Sequence, residues 1–160
     1  MLNFTGKTFA YTLPILRDLK FSKQVTPRAL VLVPTRELVL QVVDEIEKLA
    51  KYINIRVLGV YGGTNINTQK QAVAQGVDII VATPGRLYDL ALSNVLKLKS
   101  IQKLVIDEVD IMLDLGFRFH EIVQFRLPLQ RIVQKVCFLI HHYKNLNIQF
   151  LEFARCYWRA

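Results

Sequence analysis

Short apolar runs recur along this chain, and each one stops at a polar or glycine-rich turn. Ala29-Leu30-Val31-Leu32-Val33 runs into Pro34-Thr35-Arg36-Glu37-Leu38, and Val57-Leu58-Gly59-Val60-Tyr61 into Gly62-Gly63. Ile79-Ile80-Val81-Ala82 runs into Thr83-Pro84-Gly85-Arg86, and Leu104-Val105-Ile106 into Asp107-Glu108-Val109-Asp110. Unbroken apolar runs of this length suit strands buried on both faces, as in a parallel sheet covered by helices above and below. Helical spacing fills the gaps. Val39, Val42, Val43, Ile46, Leu49, Ala50 and Ile53 fall on one helix face, with Thr35 placed to cap its start and Glu37 favourable in its first turn. A helix is expected through Leu87, Leu90 and Ala91, an earlier one through Phe9, Leu13 and Leu16, and a last strand over Val136-Cys137-Phe138. The alternation predicts an α/β fold, a mostly parallel sheet with helices on both faces joined by right-handed crossovers. Ligands of such sheets gather beyond the carboxyl ends of the strands, so the four turns would share one rim.

Two of the polar segments carry chemistry of their own. Asp107-Glu108, at the exit of a core strand, suits a magnesium nucleotide: Asp107 to hold the ion, directly or through water, and Glu108 to orient or deprotonate an attacking water. A solvated acidic turn is the plainer alternative for such a pair in isolation. Thr5-Gly6-Lys7-Thr8 looks like the end of a phosphate loop, where glycine lets backbone N–H groups approach phosphate, lysine meets the β/γ charge and a hydroxyl reaches Mg²⁺. A helix starting directly behind adds its positive end. The full signature needs a second glycine upstream and a strand before it, whereas Phe4 stands at that glycine's place and four residues precede Thr5.

Taken in order, these motifs resemble the DEAD-box RNA helicases, specifically their first ATP-binding domain, a P-loop NTPase (RecA-like) fold. The resemblance runs from Thr5 to about Phe117, with Met112-Leu113-Asp114-Leu115-Gly116-Phe117 closing it. It implies ATP and Mg²⁺ as cofactors, bound by Thr5, Gly6, Lys7, Thr8, Asp107 and Asp110, with Thr8 and Asp107 at the metal. It implies catalytic roles for Glu108, Asp107 and Lys7, and a tie from Asp110 to a later motif. It implies an RNA face made of Pro34, Thr35, Arg36, Gly62, Gly63, Thr83, Pro84, Gly85 and Arg86, which would grip the backbone by shape rather than base sequence. Surface salt bridges for the two arginines and a tight turn for the two glycines are the plain alternatives. Val109 stands where the family name has alanine, a small apolar exchange the site is expected to tolerate.

The departures point to a domain truncated at both ends. The chain starts after the family's adenine-recognising glutamine motif and after the strand entering the phosphate loop, so the expected sheet lacks its first strand. Leu139-Ile140-His141 occupies the place of the family's Ser-Ala-Thr motif, and the second helicase domain, with its arginines, is missing. Beyond Phe117 the pattern gives way to basic and aromatic residues. We therefore expect a partial helicase ATP-binding domain over 1–139 and a divergent basic and aromatic tail over 140–160 that is not native to the family. Adjacent His141-His142 would face opposite ways in a strand and have no paired ligand spacing nearby, so no metal site is assigned there.

Composition adds bounds. A net charge of +8 suits a polyanionic partner such as RNA, as would a merely solvated basic surface. Two unclustered cysteines, Cys137 and Cys156, point to reduced thiols and an intracellular, cytoplasmic protein. The apolar runs fall short of the ~20 residues that span a bilayer, so no membrane partner is expected. The resulting expectation is a fragment of an ATP-dependent RNA helicase, inactive alone. Two alternatives stay open: a non-catalytic RNA- or protein-binding module with a degenerate helicase fold, or another superfamily 2 helicase or translocase. Pro34-Thr35-Arg36-Glu37-Leu38 and Asp110 favour the DEAD-box branch over the last.

Overall fold

The computed structural model describes residues 6–19, 25–116 and 136–139. Helix and strand alternate along them: α1 (Gly6–Asp18), β1 (Ala29–Leu32), α2 (Arg36–Leu49), β2 (Val57–Val60), α3 (Ile66–Ala74), β3 (Ile79–Ala82), α4 (Pro84–Leu92), a 3-10 turn (Leu98–Ser100), β4 (Lys103–Asp107), α5 (Val109–Asp114) and β5 (Val136–Leu139). The strands form one parallel sheet in the order β2-β3-β1-β4-β5. Leu32 pairs with Ala82 on one side and Ile106 on the other, and Val60 pairs with Ala82. The strand ends are therefore level, and the turns that follow leave from one rim.

Alternate residues of each strand feed two separate cores, as a pleat of period two requires. Ala29, Val31 and Val33, with Ile79, Val81 and Val105, pack against α1 and α2 through Tyr11, Ile15, Leu16, Val39, Val42 and Ile46. Leu30 and Leu32, with Ile80, Ala82, Leu104 and Ile106, pack against α3, α4 and α5 through Val73, Leu87, Leu90, Val109 and Met112. Every residue of β1 and β3 is buried, which explains why those runs are unbroken in the sequence. Shortening any of their leucines or isoleucines to alanine would cost about 2–5 kcal/mol.

Two helical expectations shift. In α1, Leu13 is 53 % exposed, while Thr8, Tyr11 and Thr12 are buried. The apolar residues misled because this helix turns polar groups inward, toward the carboxyl end of β4. Ile53 is 42 % exposed because α2 ends at Leu49, its chain closed by the Ala50 N–H on the Ile46 carbonyl at 2.8 Å. No described strand precedes α1, and the tail expected over 140–160 lies outside the described residues.

At the foot of the sheet, opposite the rim, Asp78 ties three strand entries together. Its carboxylate accepts from Arg28 Nη2 at 2.9 Å, Arg56 Nε at 3.0 Å and the Arg56 backbone N–H at 3.1 Å. Its carbonyl accepts from the N–H groups of Arg28 at 2.9 Å and Ala29 at 3.1 Å. Burial alone would raise the Asp78 pKa, but the hydrogen bonds from Arg56 and Arg28 outweigh it and hold the carboxyl below the ordinary range.

Candidate functional site

Two groups of expected residues gather on the rim. The first surrounds the ends of β4 and the start of α1. Asp107 closes β4, is buried, and accepts from the Glu108 N–H at 3.0 Å. Glu108 caps α5 in the left-handed conformation, φ 52° and ψ 50°, which a non-glycine residue adopts at a cost of about 1–2 kcal/mol. That strain is kept at the lip of the sheet, where such outliers cluster when they serve function. Asp110 lies in the first turn of α5, its Oδ1 buried and without a hydrogen-bond partner among the described residues.

Gly6 and Lys7 begin α1, while Thr5 and the side chain of Lys7 lie outside the described residues. Thr8 is buried in the first turn of α1. Tyr11, one turn later, joins the two elements. Burial raises its phenol pKa, the nearby Asp107 and Glu45 carboxylates add to the rise, and the Thr8 hydroxyl opposes it without reversing it, so the phenol stays neutral. Its hydroxyl, Thr12 Oγ1 and Glu45 Oε2 are all buried without hydrogen-bond partners among the described residues. Glu45 Oε1 accepts from Gln41 Nε2 at 3.0 Å. Neither Tyr11 nor Glu45 stood out in the sequence. The available signal was a tyrosine three residues after the expected phosphate-loop threonine.

The second group surrounds the ends of β1, β2 and β3. The Val33 N–H donates to the Ala82 carbonyl and the Thr83 N–H to the Val60 carbonyl, both at 3.0 Å, so the sheet's pairing continues into the turns. After β1, Pro34 and Thr35 are half-buried, and Thr35 Oγ1 caps α2 by accepting from the Leu38 N–H at 3.3 Å. Arg36 is exposed, its guanidinium 5.0 Å from the centre of the Tyr61 ring. This places it beside the turn after β2, where a Cβ on Gly63 would stand 3.9 Å from Arg36 Nη1. Gly63 has φ +80°, which favours glycine, and Gly62 beside it faces open space.

After β3, Thr83 precedes α4 without a side-chain capping bond, Pro84 opens the helix, and Gly85 faces open space. Arg86 does not. Its Nη1 and Nη2 both donate to the Thr64 carbonyl at 3.0 Å, and Nη1 also donates to Gln69 Oε1 at 3.2 Å. Its Nε lies 3.7 Å from Asp89. Gln69 was missed at the sequence level; its signal is a polar residue between Ile66 and Val73 on the inward face of α3.

The rim thus carries a buried carboxylate and hydroxyl at a helix start, suited to a phosphate and its cation, next to a ledge of glycine turns and an exposed arginine, suited to an extended polyanion. No helix of the described residues is long and apolar enough to cross a membrane.

The chain is similar to known proteins in both sequence and fold. Residues 5–138 match the model of the DEAD/DEAH box helicase family, beyond Phe117 and through most of β5. The chain is 38 % identical over 152 residues to a DEAD-box ATP-dependent RNA helicase CshA of Streptococcus pneumoniae, covering 92 % of this chain and 28 % of that protein. It is 44 % identical over 131 residues to DEAD-box ATP-dependent RNA helicase 5 of Arabidopsis thaliana, covering 77 % and 24 % respectively. The chain therefore spans under a third of these relatives. Among solved structures, the yeast DEAD-box splicing factor Prp28 superposes with a TM-score of 0.77 at 30 % identity, over 97 % of this chain and 37 % of that one.

Proposed function

The chain belongs to the DEAD/DEAH box helicase family, and on that premise we propose that it is the ATP-binding, RNA-contacting part of an ATP-dependent RNA helicase. The observation carrying this reading is the rim of β4, where a buried Asp107 takes the N–H of a left-handed Glu108. The donor set fits Mg²⁺, which takes one or two carboxylates and phosphate oxygens rather than an all-protein cage. Asp107 and Thr8 would hold it, and the ion would neutralise charge on the terminal phosphates. Lys7 would add its own charge there, Glu108 would orient the attacking water and take its proton, and Asp110 would couple the site to a neighbouring segment. RNA would lie along the turns after β1, β2 and β3, held at its phosphates by Arg36 and exposed backbone N–H groups without base preference. A cytoplasmic setting belongs to the same reading.

These 160 residues, assayed as such, are read as a binding module with little turnover. Leu139-Ile140-His141 stands where the hydroxyl-bearing motif is expected, and Asp110 Oδ1 has no partner among the described residues. Binding of a fluorescent ATP analogue in the presence of Mg²⁺ tests the nucleotide half: Lys7→Ala should weaken it at least about tenfold, the scale of one charge-assisted contact. ATP turnover should stay at background with or without RNA. Turnover well above background, abolished by Lys7→Ala and by Glu108→Gln, would show an active enzyme instead, and binding indifferent to Lys7→Ala would overturn the nucleotide site.

A further inference from the structure

Arg86 is the residue whose placement departs furthest from a direct phosphate contact. Its side chain is 11 % exposed, and its fork is turned inward onto the carbonyl of Thr64 and the amide of Gln69. Gln69 completes the grip: Nε2 donates to the Tyr61 carbonyl at 3.1 Å and to Thr64 Oγ1 at 2.7 Å. Thr64 Oγ1 in turn donates to the Tyr61 carbonyl at 3.3 Å. Both ends of the four-residue turn, the carbonyls of Tyr61 and Thr64, are therefore held from below, while Gly62 and Gly63 between them stay exposed. The orientation of the amide is fixed by chemistry, because a guanidinium has only donors and must meet the oxygen of Gln69, which leaves its NH₂ for the turn. An apolar residue would bury more favourably at this point of α3, since an amide is tolerated there only when its hydrogen bonds are made.

We propose that Gln69, together with Arg86, is a positioning residue for the RNA face: the pair clamps the Tyr61–Thr64 turn in the shape that presents Gly62 and Gly63 beside Arg36, and Arg86 acts on a bound strand through that turn. The proposal rests on the RNA reading above. Salt dependence separates the two possible roles of an arginine. Each phosphate neutralised on a single strand adds about 0.7 to the slope of log affinity against log salt, so losing a phosphate contact lowers the slope while losing a positioning contact lowers affinity at every salt concentration.

The test measures binding of a labelled single-stranded oligouridylate to the 160-residue chain across a salt series, together with amide exchange of the free chain. Gln69→Leu should lower affinity roughly threefold to tenfold, the net worth of one or two hydrogen bonds, with the slope unchanged. Arg86→Lys, which keeps the charge and loses the fork, should do the same, whereas Arg36→Ala should lower the slope by about 0.7. In the free chain, Gln69→Leu should speed exchange at Gly62, Gly63 and Thr64 without affecting Val31 or Val81, which also shows that the variant folds. Gln69→Glu keeps the acceptor for Arg86 but loses both donors, and should show the same loosening of the turn. Unchanged exchange at the turn in both Gln69 variants, or an Arg86→Lys variant that retains wild-type affinity, would overturn the proposal. If the unaltered chain failed to bind RNA, the RNA reading would fall and the purpose given to the clamp with it, while turn exchange would still decide whether the clamp exists.

Discussion

At the foot of the sheet, Asp78 is enclosed by Arg28 and Arg56, and its carboxylate and carbonyl are both taken by neighbouring strand entries. At the rim, where the strands of the same sheet end, Glu108 is strained, Asp110 Oδ1 is buried without a partner among the described residues, and Arg36 rests exposed on Tyr61. The same sheet therefore joins two electrostatic regimes. Charges at the foot meet each other and stabilise the fold, whereas groups at the rim are held in place by elements secured elsewhere.

The sharpest way to break this comparison is to remove the foot. Asp78→Ala would leave the nearly buried Arg28 without its carboxylate, and breaking a buried pair from one side costs about 3–5 kcal/mol. The lower end is expected, because Arg56 is 41 % exposed and solvent screens its share. A urea midpoint that moved by less than the equivalent of about 1 kcal/mol would mean the clamp is decoration. Acid sharpens the same point. Asp78 titrates lower folded than unfolded, so between the two values the unfolded chain binds more protons and stability rises with pH. Its contribution is full above the unfolded carboxyl value near ~3.9 and is lost as pH falls through the lower folded value. Asp78→Ala should therefore flatten the acid limb of the stability curve below about pH 4.

One substitution placed at both ends gives the next largest contrast. Gly76 and Gly63 both have positive φ, +96° and +80°, so alanine is strained at either by about 1–2 kcal/mol. At Gly76 the new Cβ would also stand 2.5 Å from Arg56 Nη1 and 2.6 Å from Val25 Cγ1. Arg56 cannot swing aside cheaply, because Asp78 holds it. Gly76→Ala should thus cost about 2–4 kcal/mol, adding overpacking to strain, against about 1 kcal/mol for Gly63→Ala, where the nearest atom is 3.9 Å away. Equal losses in denaturant titrations would show that the two ends are equally yielding.

The difference between foot and rim also marks what could be read from the sequence. Strands β1 and β3 were legible because burial on both faces leaves no polar residue in the run, and the level register then fixed where their turns must lie. The rim residues were found by motif, one turn at a time. Their pairing was not legible, because Arg86 meets Thr64 and Gln69 across separations of 22 and 17 residues, and no local pattern encodes which way a guanidinium turns. The inward face of α1 was misread for a related reason. Thr8, Tyr11 and Thr12 are polar in composition yet buried, and Tyr11 both packs into the core beneath α1 and feels the Asp107 carboxylate at the end of β4. Arg28 and Asp78 passed unnoticed as ordinary charged residues, since only the sheet brings the entries of β1 and β3 side by side.

The smallest expected effect tests the strain itself. Glu108 and Asn94 are the non-glycine residues with positive φ among those described, 52° and 54°. Asn94 follows α4, and its short amide side chain tolerates the left-handed region. Glu108 has a longer side chain with a Cβ that crowds this conformation, and its backbone N–H donates to Asp107 Oδ1. Glycine takes this conformation without a Cβ penalty but loses more chain entropy on folding, so the two effects oppose each other. Glu108→Gly should stabilise the chain by about 1 kcal/mol while abolishing any role in turnover, whereas Asn94→Gly should change stability by only about a few tenths. Both are read as shifts of the urea midpoint at constant slope. If Glu108→Gly were destabilising by a similar amount, the left-handed turn would be a favourable part of the fold, and the rim would be as well secured as the foot.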